Sequence, residues 1–363
     1  MMGTLIFLAT IHSVNDWLID ACRHMNRGDA ITVWLIFGVI VVFDFIPGII
    51  LGIIWTSMVF IVRFSKIDVV GSSYSLNELS SSVERSARER KFLQEYGKDV
   101  KIFNLRGYLF FGSANMFFER IKAICEEKKF SYIIFDFKRV FGTDSTTSQV
   151  FVKLITLLES EEIKPVFCGM NRQVSQSFEI ANVFEAEENK SLVLSDLDLA
   201  LKWVEERLLA DRSAERSPMN IHEILEEILG NCRDVEQLVM IMDRLPMEND
   251  EYLFHQGDAE TSIYIIESGT IEVRLEDSGG KVTRLREFRR GSMLGEMASH
   301  TDVHKRTAAA VAIEQSVVYR LEPDRIPALG ERALECDLLL HELIARQLAS
   351  RLSFMNERTQ ADL

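Results

Sequence analysis

Two short stretches carry residue types and spacings suited to holding an anion. Residues 294–310 read LGEMASHTDVHKRTAAA, in which Gly295 and Glu296 are followed about ten residues later by Arg306, Thr307 and a run of small residues. A guanidinium presents a planar fork of donors to a phosphate-like group, amides at a helix start add to it, and a carboxylate suits a sugar hydroxyl. The second stretch, GTDSTTS, sets Asp144, Ser145 and Thr146 where a strand feeds a helix. First-turn amides there point outward and would stabilise a phosphoryl group, while the simpler reading makes Asp144 or Ser145 a helix N-cap.

Other constellations offer less. His300, Asp302 and His304 form an H-x-D-x-H cluster, but three ligands in one loop read as an exposed polar turn, and no metal site is expected. Cys22, Cys125, Cys168, Cys232 and Cys336 lie far apart with an odd total, which fits reduced thiols in the cytosol. The chain has no P-loop, no G-x-S-x-G elbow and no Cys–His pairing, so no catalytic residue is assigned and no enzyme is expected. Lys and Arg total 41 against 55 Asp and Glu, a net charge of −14. Such a surface repels phosphate backbones and argues against a nucleic-acid partner, so any anion site must be local. Arg85, Arg88, Arg90 and Lys91 alternate with Glu84 and Glu89 and read as a solvated helix face, with anionic lipid as the alternative contact. Arg284, Arg286, Arg289 and Arg290 read as solvation of a strand edge and turn, with a phosphate-attracting field near the pocket as the alternative.

The elements that must position these groups follow from length and hydropathy. A chain of 363 residues suggests two or three units, one of them in a membrane. Residues 30–62 are apolar apart from Thr32, Asp44, Thr56 and Ser57, and as one helix they would run about 50 Å, well beyond a hydrocarbon core. Asp44, Pro47 and Gly48 in FDFIPGII supply a break, giving two short spans joined at residues 44–48. Arg23, His24 and Arg27 precede the pair and Arg63 and Lys66 follow it, which places both outer ends, and all that follows, in the cytoplasm. Met1 to Ile11 lacks a basic n-region and reads as the tail of a longer span rather than a signal peptide, so the chain looks cut off at its front.

Residues 71–97 are Ser-rich, then mixed in charge, and read as a linker leading into an exposed helix. VKIFNL, YLFF, YIIFDF, KPVFCGM and SLVL then read as strands alternating with four helical stretches, ANMFFERIKAICEEKK, TTSQVFVKLITLLESEE, RQVSQSFEIANVF and DLDLALKWVEERLL, an α/β unit with one mixed sheet. DRSAERSP reads as a second linker, NIHEILEEILG and RDVEQLVMIMDRL as helices, and YLFHQGD, SIYIIESGTIEVRLE, VTRLREF and SVVYRLE as strands of a β-roll. The apolar spacing of ECDLLLHELIARQLASRLSFM marks a closing helix, suited either to cover a bound base or to pair with its copy.

LRGYLFFGSANMFFERI and IIFDFKRVFGTDSTTSQVFVKL resemble the STAS domain, and the hydrophobic segment with its flanks resembles the last spans of SulP-type anion transporters, which carry that domain as a cytosolic tail. FHQGDAETSIYIIESGTIEVRL with RRGSMLGEMASHTDVHKRTAAAVAIEQSVVYRLEPDRI resembles a cyclic-nucleotide-binding domain. These resemblances imply a multidomain α/β plus α+β chain: terminal transmembrane helices over 1–66, a linker over 67–97, a STAS mixed sheet with helices over 98–210, and a cyclic-nucleotide-binding β-roll with flanking helices over 211–363. On the family pattern Glu296 matches the ribose ligand, Arg306 the phosphate ligand, Gly295 the close backbone approach, and Ala298 and Thr307 phosphate-facing amides. Lys305 stands where the family usually has Pro, and the spacing to Arg306 is one residue longer. In related bacterial anti-sigma-factor antagonists a Ser in the matching STAS loop is a phosphorylation switch; the position falls on Thr146, beside Ser145. The implied function is the regulatory C-terminal part of a SulP-type sulfate or bicarbonate transporter, membrane-integral, with cAMP or cGMP as regulatory ligand and no other cofactor. Its partners would be the remaining membrane domain or a homodimer copy. The alternative is a free-standing, membrane-anchored nucleotide sensor and STAS scaffold.

Overall fold

A computed structural model of the chain describes residues 27–65, 68–184, 192–211, 219–229, 235–276, 282–299 and 305–362. It begins with a helical hairpin. α1 (Arg27–Phe43) and α2 (Phe45–Ser65) meet at Asp44, which holds a left-handed φ of 88° and accepts a hydrogen bond from Phe45 N at 2.7 Å. The break expected over 44–48 is thus one residue wide, because Pro47 sits in the first turn of α2, where its missing N–H has no intrahelical partner to lose. A Cβ at Gly48 would collide with Ile40 Cγ1, so the hairpin closes through that glycine. Trp55 Nε1 donates to Thr32 Oγ1 at 3.2 Å, and Arg63 pairs with Asp29 at 2.6 Å at the open end. Among the described residues α2 has one stretch, Phe45–Arg63, long and apolar enough to cross a bilayer, and α1 is shorter. Side chains such as Val42, Ile46 and Phe60 are each more than 60% exposed, an apolar surface that water would not stabilise.

The second unit is a five-stranded sheet in sequence order: β1 (Val70–Ser75), β2 (Val100–Leu109), β3 (Tyr132–Thr143), β4 (Lys164–Cys168) and β5 (Leu192–Leu194). β1 runs antiparallel to β2 and the rest are parallel. The connecting helices are α4 (Phe111–Glu127), α5 (Ser145–Ser160) and α6 (Arg172–Ile180). Strand alternation divides the core: Phe103, Phe135 and Phe167 face these three helices, where they meet Phe117, Phe151 and Phe178. Ile102, Ile134 and Val166 face α3 (Ala87–Tyr96) and α7 (Leu197–Ala210) through Leu93, Leu201 and Val204.

Two expectations change here. The stretch 67–97, read as a linker, supplies the edge strand β1 and the packed helix α3; its serines hide a strand because Ser72 to Ser75 pair register-by-register with β2. YLFF does not form a second strand: β2 runs through Gly107 to Leu109, and α4 begins at Phe111.

The third unit packs two four-stranded antiparallel sheets. One has the order β10 (Val282–Arg289), β9 (Thr270–Glu276), β12 (Ala309–Ala312), β7 (Tyr252–Phe254). The other has the order β11 (Met293–Leu294), β8 (Ile263–Ser268), β13 (Ser316–Leu321), β6 (Met242–Met247). Ile266, Ile271, Ala310 and Val318 fill the space between the sheets. On the outer face of the second sheet lie α8 (Ile221–Leu229), α9 (Glu236–Met240) and α11 (Ala333–Asp362), joined by Leu225, Leu238, Leu340 and Leu343. RDVEQLVMIMDRL, read as one helix, stops at Met240; Met242–Met247 is instead an edge strand, which tolerates Pro246. β12 escaped notice because alanine carries no strand preference; its four residues are buried between neighbours on both sides.

Candidate functional site

Gly295 turns the chain from β11 into the short helix α10 (Glu296–Ser299) with φ 86°. A Cβ there would stand 2.7 Å from Ser262 O and against Arg306 Nη1, so only glycine lets the arginine approach. The Arg306 backbone is pinned between Asp258 O, which accepts from its N at 2.9 Å, and Gly257 N, which donates to its O at 2.8 Å. Its buried guanidinium donates from Nη1 to Gly295 O at 2.9 Å and from Nη2 to Ser262 O at 2.7 Å, and lies 3.5 Å from Glu260. Phe254 stacks under the group at 4.2 Å, and Tyr264 lies 5.5 Å away. Tyr264 donates to Glu260 at 2.6 Å; burial first, then that carboxylate, pushes the phenol pKa up. Arg306 Nε is buried without a hydrogen-bond partner among the described residues. The fork is therefore held in place by backbone carbonyls with donor capacity left over, the arrangement an anion would complete.

The structure sets Gly295 against Arg306, with Glu296 and Ala298 following it in α10. Ala298 N donates to Gly295 O at 3.2 Å and is engaged inside the turn, while Thr307 is exposed beside the arginine. The cluster of His300, Asp302 and His304 lies outside the described residues.

Glu296 has a partner that sequence reasoning missed. Arg351, on the long helix α11, donates from Nη1 to Glu296 Oε1 and from Nη2 to Met293 O, and its Nε donates to Glu84 at 2.8 Å. Phe288 lies 5.1 Å beneath the guanidinium. Burial alone would lower the Arg351 pKa, but Glu84 and Glu296 outweigh it and raise it. The closing helix joins the third unit's core through Leu340 and Leu343, and its last described polar side chain reaches the candidate ribose carboxylate.

Glu84 belongs to a seam between the second and third units. Its backbone pairs with β10 through Glu84 N to Glu287 O at 2.8 Å and Arg289 N to Glu84 O at 3.2 Å. Lys202 of α7 pairs with Glu287 at 2.7 Å, Arg284 lies 3.5 Å from Asp198, and Arg289 pairs with Glu206. Arg284, Arg286 and Arg289, read as strand solvation, are therefore ion-pair partners across the seam. Arg85 is likewise buried rather than solvated, held 2.9 Å from Glu205. The available signal was an arginine-rich strand in the same chain as the acidic helix DLDLALKWVEER; nothing in the sequence joins Glu84 to Arg351.

At the other candidate loop, Asp144 is the N-cap of α5. It accepts from Thr147 N at 2.7 Å and, across the sheet end, from Phe111 N at 3.2 Å. Ser145 and Thr146 are exposed in the first turn.

The cyclic nucleotide-binding domain family matches residues 244–332, and the STAS domain family matches residues 94–194. The chain carries both domains, and both are regulatory in kind. A vacuolar basic amino acid transporter of Saccharomyces cerevisiae is 27% identical over 223 residues, 58% of this chain and 21% of that protein. A neuropathy target esterase of Drosophila persimilis is 35% identical over 83 residues, 21% of this chain and 6% of that protein. The match thus spans 21% and 6% of the length of these two relatives. Among solved structures, a cyclic nucleotide-binding domain from Methylobacillus flagellatus aligns at TM-score 0.34 and 19% identity, over 39% of this chain and 83% of that one. The Thermus thermophilus catabolite activator protein aligns at TM-score 0.30 and 25% identity, over 37% and 62%.

Proposed function

We propose that this chain is the regulatory part of a SulP-type membrane transporter, in which cyclic nucleotide held by Gly295, Glu296, Ala298, Arg306 and Thr307 is relayed to the STAS domain. The observation that carries this reading is Arg351, which grips Glu296 of the cradle and Glu84 of the STAS flank at once. A cyclic phosphate is a single negative charge and would take the unused donors of Arg306, including Nε. The ribose hydroxyl would donate to Glu296 and compete with Arg351 for that carboxylate. Each nucleotide bound then changes the hold of Arg351 on Glu84, which is the differential interaction that coupling requires.

The apolar hairpin supports a membrane location, and the yeast relative, named a transporter, supports a transport context. Ser145 and Thr146 are the hydroxyls a kinase would reach, and a phosphoryl group there would stand at the N-terminus of α5 but against Asp144.

The test is calorimetric titration of the full chain in detergent micelles with cAMP and cGMP, repeated on Arg306→Glu, with hydrogen exchange followed over residues 81–90. Saturable binding lost in the variant, with exchange in 81–90 changed by nucleotide in the wild type, supports the reading. Binding without any change in 81–90 removes the relay, and no binding by folded protein removes the sensor. Reconstitution with the membrane partner and uptake of sulfate, bicarbonate or a basic amino acid tests the transport context.

A further inference from the structure

Behind Arg351, at the seam between the two cytosolic-type units, lies a cavity of about 70 Å³ that the nucleotide reading does not use. Arg85, Arg90, Arg286 and Arg351 line it, against only two carboxylates, Glu84 and Glu205. Those carboxylates are already engaged. Glu205 accepts from Ser81 N at 2.7 Å, Ser81 Oγ at 2.6 Å and Arg85 Nε at 3.0 Å. Glu84 holds Arg351 at 2.8 Å and Arg286 at 3.5 Å. The Arg85 side chain is 2% exposed, yet its Nη1 has no hydrogen-bond partner among the described residues, and the buried Asn77 Oδ1 on the same wall has none either. An amide can turn its NH2 to the same point, so the wall offers donors from both residues.

Burial disfavours the charged Arg90 guanidinium more than Glu84 and Glu227 favour it, and Arg351 adds to the deficit. A buried donor left unsatisfied is costly, and guanidinium forks match tetrahedral oxyanions better than any other side chain does. Arg351 is also paired with Glu296 and Arg90 faces Glu227, both outside the lining, so four guanidiniums meet four carboxylates and what the wall offers an oxyanion is its unmet donors, Arg85 Nη1 first. Leu76, Val83 and Leu93 close the cavity with apolar walls, which limits the occupant to a compact group.

We infer that this cavity is a second anion site, taking a small phosphate-type oxyanion between Arg85, Arg90 and Arg286 at the seam of the STAS and nucleotide-binding domains. The inference stands apart from the nucleotide reading, since it uses none of Gly295, Arg306 or Thr307. Occupancy would tie the α3 flank to β10 and Arg351, so the oxyanion would act as a clamp between the domains.

The test uses the full chain in detergent micelles, titrated with inorganic phosphate against sodium chloride of equal ionic strength. Heat and the thermal unfolding midpoint are both followed. Saturable 1:1 binding is expected, weakened about tenfold or more in Arg90→Gln or Arg286→Gln and kept in Arg306→Gln, as the loss of one charge-assisted contact predicts. Arg85→Gln is avoided because it would leave Glu205 buried and uncompensated. Absence of saturable binding to folded wild type overturns the proposal. So does equal affinity in Arg90→Gln and Arg286→Gln, or loss confined to Arg306→Gln, which would assign the phosphate to the nucleotide cradle.

Discussion

Arg351 and Glu84 stand 267 positions apart and form an ion pair in which the Nε–H is shared between the two carboxylate oxygens at 2.8 and 3.0 Å, in a site where both side chains are largely buried. Removing the guanidinium strips Glu84 and Glu296 of their shared cation together, and breaking a buried pair from one side costs about 3–5 kcal/mol. Arg351→Gln is therefore expected to lower unfolding free energy by about that amount, and to open residues 81–90 to limited proteolysis. Replacing Arg351 and Glu84 together by methionine leaves Glu296 without its cation, and should cost less than the sum of the two single replacements. Denaturant titration and protease mapping check both points; a loss equal to that sum would mean that the pair is not coupled.

What the sequence disclosed follows from range. Alternation of Phe103, Phe135 and Phe167 with Ile102, Ile134 and Val166 is a local signal, and it sets both faces of the STAS sheet. Gly295 and Arg306 are likewise close in the chain, and the fold brings them together. Arg351, Ser262 and Glu260 complete the cradle from elsewhere and left no local mark. The arginines of β10 were misread for a related reason: a charged edge strand looks the same whether its partner is water or the acidic α7. The helical reading of RDVEQLVMIMDRL runs into the strand Met242–Met247 because its two buried methionines, Met242 and Met247, sit at the strand ends and give no period-2 pattern between them.

The pH response of the STAS unit should split between two aspartates. Burial alone would raise the Asp144 carboxyl, but hydrogen bonds from Thr147, Thr146 and Phe111 outweigh it and hold the pKa below its ordinary value. Its contribution is therefore present above the unfolded pKa of about 4 and is lost as pH falls through the lower folded value. Asp136 has the opposite sign: burial raises its pKa despite the Lys138 N–H, Lys138 and Arg139, with Asp196 adding to the rise. Its contribution is full below the unfolded pKa and is lost as pH rises through the folded value. Asp144→Asn should thus lose its destabilising effect as pH falls below about 4, whereas Asp136→Asn should gain on wild type as pH rises above about 4. Trp203, packed edge-on against Tyr132 at 6.0 Å, is the fluorescence reporter for this unit.

The hairpin makes a steric prediction. A side chain at 48 meets Ile40, so Gly48→Val should separate α1 from α2, and Ile40→Ala in the same chain should restore the contact. Cysteine cross-linking between positions 32 and 55, whose side chains are hydrogen-bonded at 3.2 Å, reads the packing directly in detergent or bilayer. Undiminished cross-linking in Gly48→Val would mean that the helices do not pack through this glycine.

Gly295→Ala tests the cradle without touching a charge. With φ at 86° the added methyl meets both a strained backbone and two neighbours, Ser262 O and Arg306 Nη1. The arginine cannot yield easily, because its backbone is fixed by Asp258 and Gly257 and its ring partners by the sheet core. The expected result is loss of the Arg306 Nη1 bond to Gly295 O, displacement of the fork, and a fall of about a hundredfold or more in cyclic-nucleotide affinity, the scale of one lost bidentate contact to a charged group. Stability should fall by only about 1–3 kcal/mol, the usual cost of a residue forced into a sparsely populated conformation. Calorimetry and thermal unfolding on one preparation separate the two effects. Unchanged affinity at reduced stability would mean that nucleotide is held elsewhere, and the assignment of Arg306 as phosphate ligand would fall with it.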